Sequence, residues 1–338
     1  SGDFETVKSP NPEEPAALKM AIEKAIEVDA ELVMATDPDA DRVGIAVRDD
    51  SNDFILLNGN QTAALLTHYL FKKWKENGLL DGNQFMVKTI VTSELLIDMA
   101  NKYKIDSYDV LTGFKYIADI IKQLDGKKTF IGGGEESYGF LVGDFVRDKD
   151  AVSACAMVAE VAAWAKDKGL KLYDLLKQIY LEYGFYYETL ISVVKKGKAG
   201  AEEIQQMMID YRNNPPEYIN NSAVVSIKDY QRQIHYDLIN QTQFAIDLPK
   251  SNVLQFFTAD GSKISVRPSG TEPKIKYYFG VKTQLEKIEE RAEKIAPNLI
   301  GRPSPPFLNQ LGMPFMKDTN GIIHKLYDVE AKYTLLIF

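Results

Sequence analysis

Residues 30–42 read Ala-Glu-Leu-Val-Met-Ala-Thr-Asp-Pro-Asp-Ala-Asp-Arg, and this stretch decides the fold prediction. Its first six residues are mostly apolar and predict a short β-strand. Three carboxylates follow at alternate positions, with a proline that stiffens the turn between the first two. Open α/β sheets bind their ligands at the carboxyl ends of strands. We therefore expect an α/β fold with a functional site in the loop that follows this strand.

The three carboxylates of this loop predict a metal site. Alternate residues of an extended chain project to the same side, so Asp37, Asp39 and Asp41 can converge on one hard cation. Mg²⁺ prefers oxygen ligands and takes only a few from protein, which leaves positions for water or phosphate. Arg42 can bind a phosphate that the metal also contacts. Solvated turns contain the same residue pattern, and that alternative stays open on these residues alone.

Two further loops carry polar groups that suit a sugar phosphate. Residues 132–139, GGGEESYG, follow a strand-like segment and offer two acids and a hydroxyl for sugar hydroxyls. Residues 267–274, RPSGTEPK, lie between two alternating segments and offer a guanidinium, two hydroxyls and glycine-freed backbone amides for an anion. Taken singly, such loops are more often structural than functional.

In this order the motifs resemble those of the α-D-phosphohexomutase superfamily, the phosphoglucomutases and phosphomannomutases. DPDADR resembles the metal loop of that family, GEESYG its sugar-binding loop and RPSGTEPK its phosphate-binding loop. A fourth segment, TGFKYI at residues 112–117, resembles the loop with a lysine implicated in proton transfer or phosphate binding. The resemblance runs from about Gly2 to about Ala296 and is closest to the bacterial phosphoglucomutases with GEESYG.

The resemblance implies roles for the matching residues. Lys115 and Arg42 are expected to be catalytic, and Glu135 and Ser137 to bind sugar hydroxyls. Lys115 would lie in the first turn of a helix, where a cation opposes the helix dipole, although a solvated lysine fits the same pattern. The other residues expected to contact substrate are Thr112, Gly113, Lys149, Arg267, Ser269, Gly270, Thr271 and Lys274.

The family's chemistry centres on a phosphorylated serine in a motif of the Thr-Ala-Ser-His-Asn-Pro kind, and these 338 residues contain no such stretch. We interpret the chain as the C-terminal part of a mutase that interconverts hexose 1-phosphate and hexose 6-phosphate by phosphoserine- and Mg²⁺-dependent transfer. The chain alone is expected to be inactive, and its partner to be the missing N-terminal region of the same protein. A noncatalytic phosphosugar- or metal-binding fragment and a phosphopentomutase-type parent remain alternatives.

Composition is that of an ordinary globular protein, with 45% hydrophobic and 26% charged residues. The formal net charge of −8 argues against nonspecific binding to nucleic acid or to an anionic membrane. The single cysteine, Cys155, lies in an apolar segment and predicts a buried residue in a reducing cytoplasm. The histidines lack metal spacing and are interpreted as structural or surface residues; they are His68, His235 and His324.

The predicted organisation is two mixed-sheet α/β domains followed by a C-terminal α+β phosphate-binding domain. The first α/β domain, residues 1–58, is partial and carries the metal loop, and the second, residues 59–184, is complete and carries the sugar loop. The α+β domain covers residues 185–296, and residues 297–338 are unassigned.

Local patterns predict individual elements. Asn11 and Pro12 predict the cap and first position of a helix whose apolar stripe includes Leu18, Ile22 and Ile26. Residues 229–250 predict a surface loop or hairpin. Further helices are predicted at residues 61–75, 94–103, 114–124, 151–166, 172–183 and 201–211, and a last helix is expected to end near Ala296.

Overall fold

The computed structural model describes residues 4–270 and 272–283. The chain divides into two compact units, unit 1 at Ser1–Gly184 and unit 2 at Phe185–Phe338. The helix expected to end near Ala296 and the unassigned segment 297–338 lie outside the described residues. No helix in the described part of the chain is long and apolar enough to cross a membrane.

Unit 1 begins with a helix and a small antiparallel sheet. The elements are α1 (Pro15–Glu27), β1 (Leu32–Thr36), β2 (Val43–Arg48) and β3 (Phe54–Leu57), and the strand order is β1-β2-β3. Every residue of the central strand β2 is buried. Helix α1 packs Leu18 and Ala25 against Val33 and Ala46 of the sheet. Helices from later in unit 1 contact β1 and β2 as well, so this small sheet shares its core with the rest of the unit.

The start of α1 differs from the sequence prediction. The helix begins at Pro15, and Glu14 occupies the cap position. Asn11 instead accepts a hydrogen bond from the Glu13 N–H at 3.1 Å, because an asparagine side chain readily closes a turn with the residue two positions on. The predicted apolar stripe also ends differently, since Ile26 is 58% exposed while Ala25 is buried.

The larger part of unit 1 alternates helices and strands, as predicted for an α/β fold. Its sheet has the order β5-β4-β6-β7, in which β4 runs parallel to β5 and β6 while β7 is antiparallel to β6. The elements are α2 (Gly59–Glu76), β4 (Gln84–Thr89), α3 (Leu95–Tyr103), β5 (Asp106–Val110), α4 (Phe114–Leu124), β6 (Thr129–Gly134), β7 (Phe140–Val142), α5 (Ala151–Lys166) and α6 (Leu172–Tyr183).

Packing in this part follows the apolar faces of the elements. The α4 stripe of Phe114, Ile117 and Ile121 covers Phe85 and Val87 of β4. Helix α5 is buried on one side only. Val152, on its exposed face, is 67% exposed. Cys155 lies on this helix and is half-buried, so it is less buried than predicted.

In its described residues, unit 2 is one antiparallel sheet with a packed helix, as expected for an α+β domain. The sheet order is β12-β11-β10-β13-β14-β15-β8, with β9 paired to β10. Residues 234–245 form a hairpin, one of the two predicted possibilities. The elements are β8 (Phe185–Val194), α7 (Gly197–Asn213), β9 (Tyr218–Ile219), β10 (Ser222–Asp229), β11 (Ile234–Asp237), β12 (Thr242–Ala245), β13 (Leu254–Thr258), β14 (Lys263–Pro268) and β15 (Lys274–Thr283).

His68 is a buried titratable group in the core of unit 1. It lies on α2 with its ring near those of Trp164 and Tyr183, and its Nδ1 atom has no hydrogen-bond partner among the described residues. Burial lowers the pKa of His68 from 6.5 to about 4. The unfolded chain therefore binds a proton near pH 6.5 that the folded chain binds only near pH 4, so stability present above pH 6.5 is lost as the pH falls.

We expect His68→Gln to make the stability of unit 1 less sensitive to acid. Between pH 7 and pH 5 the wild-type free energy of unfolding should fall by about 2 kcal/mol more than that of the variant. Urea unfolding followed by tryptophan fluorescence reports this unit, because Trp74 and Trp164 both lie in it. If the free energy of unfolding fell equally in the two proteins, His68 would gain its proton as easily in the folded state as in the unfolded state.

Candidate functional site

The metal loop, residues 37–42, is a tight turn. Asp37 Oδ1 accepts hydrogen bonds from the backbone N–H groups of Asp41 and Arg42, both at 3.0 Å. The Ala40 N–H donates to the Asp37 carbonyl at 3.1 Å, and Ala40 adopts a φ of 56°. Asp37, Asp39 and Asp41 each place a carboxylate oxygen within 4.8 Å of the others. The three side chains converge because the loop folds back, and the predicted mechanism of extended-chain alternation was wrong.

Two cations lie against this acidic turn. Lys149 Nζ is 2.6 Å from Asp41 Oδ2, and Arg42 Nε is 3.6 Å from an oxygen of each of Asp37 and Asp41. Arg42 also donates through Nη1 to Glu13 Oε1 at 3.1 Å. The guanidinium therefore connects the turn to the segment before α1, and it also faces the two carboxylates.

The pKa values of Asp37 and Asp41, the two carboxyls that share this turn, shift in opposite directions. Burial raises the pKa of Asp37, and the neighbouring Asp41 carboxyl adds to the rise. Burial acts upward on Asp41 too, but the hydrogen bond from Lys149 and its charge outweigh it, so the pKa of Asp41 is lowered. Asp41 is thus the more strongly anionic member of the pair.

The donor set fits Mg²⁺. All three candidate ligand atoms are carboxylate oxygens, which this hard cation prefers. Asp41 Oδ1 is buried without a hydrogen-bond partner among the described residues, although a buried carboxylate oxygen normally has one. A cation at this position would satisfy it. Asp39 is exposed, so the site is open to solvent on one side.

The sugar loop, residues 134–139, lies against the metal loop. It closes through a hydrogen bond from the Glu135 N–H to the Gly139 carbonyl at 2.8 Å. The Tyr138 carbonyl accepts from the Val43 N–H at 3.0 Å, directly after the metal loop. At the start of α5, the Ala151 N–H donates to the Ala40 carbonyl at 2.9 Å. Backbone hydrogen bonds thus join the two predicted motifs.

Glu135 connects the sugar loop to the TGFK turn. Its carboxylate is buried, and Oε1 accepts a hydrogen bond from the Gly113 N–H at 2.8 Å. This contact brings Thr112 and Gly113 to the edge of the sugar loop. Lys115 is exposed in the first turn of α4, with Nζ 5.0 Å from the centre of the Tyr116 ring. Ser137, at the middle of the loop, is half-buried.

Sequence reasoning missed the part played by Glu136. Its Oε2 accepts hydrogen bonds from the hydroxyls of Thr89 at 3.0 Å and Thr92 at 3.3 Å, and these hydroxyls lie 2.8 Å apart. Both threonines are fully buried at the end of β4. The Glu136 backbone also packs so closely on Gly59 that a Cβ there would overlap the Glu136 carbonyl oxygen. The second glutamate of GEESYG therefore anchors the loop.

A buried cation lies in the same region and was also missed. Lys88 on β4 is fully buried, and its Nζ is 2.8 Å from Asp109 Oδ1 and 3.1 Å from Glu94 Oε1. Burial acts to lower the pKa of Lys88, but the two carboxylates outweigh it and raise the pKa, so this amine stays charged. A lone lysine inside an apolar strand is the signal that could have indicated a buried ion pair.

We expect the Thr89→Val, Thr92→Val double variant to destabilise unit 1 by about 1–3 kcal/mol, because the Glu136 carboxylate loses two hydroxyl donors. Urea unfolding monitored by tryptophan fluorescence measures the loss. The matched control is Thr89→Ser, Thr92→Ser, which keeps both hydroxyls and should stay close to wild type. If the valine and serine variants were equally destabilised, lost packing and not the hydroxyls would explain the effect.

The predicted phosphate loop connects β14 to β15 in unit 2. The Ser269 N–H donates to the Lys274 carbonyl at 2.8 Å, and the Glu272 N–H donates to Ser269 Oγ at 3.3 Å. Arg267 is half-buried, Gly270 is exposed, and Lys274 forms an ion pair with Glu272. Thr271 lies outside the described residues. The hairpin thus brings together Arg267, Ser269, Gly270 and Lys274 at one end of the sheet.

Three family models match successive parts of the chain. Those for the phosphoglucomutase/phosphomannomutase α/β/α domain II and domain III match residues 1–50 and 58–183, and that for the C-terminal domain matches residues 220–298. The chain therefore belongs to the phosphoglucomutase/phosphomannomutase family, the α-D-phosphohexomutase superfamily, as the motifs predicted.

Curated relatives agree with this assignment. The chain is 42% identical over 293 residues to a phosphoglucomutase of Staphylococcus aureus, which covers 87% of this chain and 52% of that protein. It is 36% identical over 299 residues to a phosphoglucomutase of Staphylococcus haemolyticus, covering 88% of this chain and 53% of that one. The chain thus spans about half the length of the curated relatives it matches.

Solved structures share the fold at low sequence identity. The phosphoglucomutase parafusin of Paramecium aligns with a TM-score of 0.61 and 18% identity, covering 89% of this chain and 50% of that one. A phosphoglucomutase/phosphomannomutase family protein of Burkholderia thailandensis aligns with a TM-score of 0.53 and 15% identity, covering 90% and 52%. These likenesses support the fold alone.

Proposed function

We propose that this chain carries the metal-, sugar- and phosphate-binding part of an enzyme that interconverts hexose 1-phosphate and hexose 6-phosphate. The phosphoserine that such transfer needs would come from an N-terminal region of the same protein. The observation that carries the proposal is the junction of the metal loop with the sugar loop, through the hydrogen bond from Val43 to Tyr138, and with the start of α5, through the bond from Ala151 to Ala40. We further propose that residues 1–58, 59–184 and 185–296 act as successive domains of a cytoplasmic enzyme.

The proposed roles follow the positions of the side chains. Asp37, Asp39 and Asp41 bind Mg²⁺, which supplies positive charge to a transferring phosphoryl group. Arg42 stabilises the same charge, and Lys115 exchanges the proton of the reacting hydroxyl. The residues proposed to bind the sugar phosphate are Thr112, Gly113, Glu135, Ser137, Lys149, Arg267, Ser269, Gly270, Thr271 and Lys274.

A mutase that moves phosphate between two carbons must bind its substrate in two orientations. Such a site needs a fixed place for the phosphate that is not reacting, apart from the metal. The loop at residues 267–274 offers hydroxyls and a guanidinium for this purpose. We propose glucose phosphate as the substrate, because the GEESYG form resembles the phosphoglucomutases, as do the Staphylococcus relatives.

The metal assignment predicts one divalent site on the chain. The Asp39→Asn, Asp41→Asn double variant should lose it, because two of three anionic ligands become neutral while Asp37 still closes the turn. Mn²⁺ binding measured by paramagnetic relaxation gives the stoichiometry. Asp119→Asn on the exposed face of α4 is the matched control and should bind as wild type does. Unchanged binding in the double variant would disprove the assignment.

The phosphoserine assignment predicts that this chain alone shows no turnover of glucose 1-phosphate to glucose 6-phosphate in a coupled dehydrogenase assay. Positioning groups and a metal cannot replace a covalent phosphate carrier. Adding the N-terminal region of the parent should restore turnover, and the same addition to an Asp37→Asn chain should not. Activity of the purified chain alone, above that of host-mutase controls, would overturn this part of the proposal.

A further inference from the structure

Lys149 lies between the two predicted binding sites of unit 1. Its Nζ is 2.6 Å from Asp41 Oδ2, and the side chain is only 17% exposed. Its aliphatic stem packs on the sugar loop, where a Cβ at Gly139 would overlap the Lys149 Cδ atom. The negative charge of the Glu135 carboxylate, on the sugar loop, contributes to raising the pKa of the same amine. Lys149 thus faces a predicted metal ligand on one side and the sugar loop on the other.

A lysine ammonium and a divalent cation on one carboxylate oppose each other. Asp41 holds the ammonium at Oδ2, while its buried Oδ1 has no hydrogen-bond partner in the described chain and lies 3.6 Å from Arg42 Nε, beyond hydrogen-bond distance. Two cations at this separation repel strongly in a partly buried site. A bound divalent cation therefore weakens the hold of Asp41 on Lys149. The four-carbon stem lets the amine move without any change in the backbone.

A Lys149 amine released from Asp41 would lie near the sugar loop, where it could bind an anionic phosphate. The loop carries two carboxylates, Glu135 and Glu136. An anionic phosphate beside these carboxylates would meet repulsion unless a cation accompanied it. Lys149 already packs on this loop through its stem, so its amine can supply that charge within the reach of one side chain.

We propose that Lys149 couples metal binding to sugar-phosphate binding. Its ammonium neutralises Asp41 when the metal loop holds no divalent cation, and a divalent cation displaces it toward the sugar loop, where it binds the phosphate of the substrate. Metal and sugar phosphate then strengthen each other's binding. This inference rests on the proposed function, since it assumes that one chain binds both.

The test compares wild-type chain with Lys149→Gln. For wild type, saturating glucose 1-phosphate should tighten Mn²⁺ binding about tenfold, and Mn²⁺ should tighten glucose 1-phosphate binding by the same factor, because such coupling is reciprocal. Glucose, which lacks the phosphate, should leave Mn²⁺ affinity unchanged. Lys149→Gln should bind Mn²⁺ about tenfold tighter than wild type without sugar phosphate, and its affinity should no longer respond to glucose 1-phosphate. A gain in affinity cannot result from misfolding.

Lys166→Gln is the matched control, because it removes one positive charge from an exposed ion pair with Glu31 at the far end of α5, the helix that begins two residues after Lys149. It should keep wild-type affinity and wild-type coupling. Coupling that persists in Lys149→Gln, or an unchanged or weaker Mn²⁺ affinity there, overturns the inference and leaves the proposed function intact. Equal coupling with glucose also overturns it. A wild-type chain that binds neither Mn²⁺ nor glucose 1-phosphate overturns the inference and the proposed function together.

Discussion

The hydrogen bond from the Val43 N–H to the Tyr138 carbonyl is the contact on which the rest of the site depends. It joins the first residue of β2 to the sugar loop, although 95 residues of chain separate the two positions. The bond from Ala151 to Ala40 makes a second junction on the other side of the metal loop. Backbone groups form both junctions, so the metal loop is held to the sugar loop and to the start of α5 by contacts that do not require a particular side chain.

Held in this way, the metal loop can concentrate negative charge. Asp37 uses one carboxylate oxygen to close the turn, which directs Asp39 and Asp41 toward it. Three carboxylates so close together repel one another, and the repulsion is offset by Arg42 and Lys149. The motif is therefore a unit of acids and cations, and removal of either cation would leave the repulsion between the three carboxylates less compensated.

Sequence predicted the parts of this structure that local patterns determine. Apolar periodicity was enough to place α5 at its observed ends, Ala151 and Lys166. Strand β5 was missed because its residues, Asp-Ser-Tyr-Asp-Val, form a polar edge without an apolar run. The role of Glu136 was missed for a different reason. Its partners Thr89 and Thr92 come from another strand, and nothing in the loop sequence indicates which glutamate turns inward.

The glycines of the sugar loop explain how one segment can serve both sites. A Cβ at Gly134 would overlap the Gly139 carbonyl, and a Cβ at Gly139 would overlap the stem of Lys149. With hydrogen at both positions the loop closes tightly and the lysine lies flat across it. That placement leaves the amine at Asp41, while the adjacent Glu135 remains bonded to Gly113. The loop thus contacts the metal loop through its backbone and the TGFK turn through the Glu135 side chain.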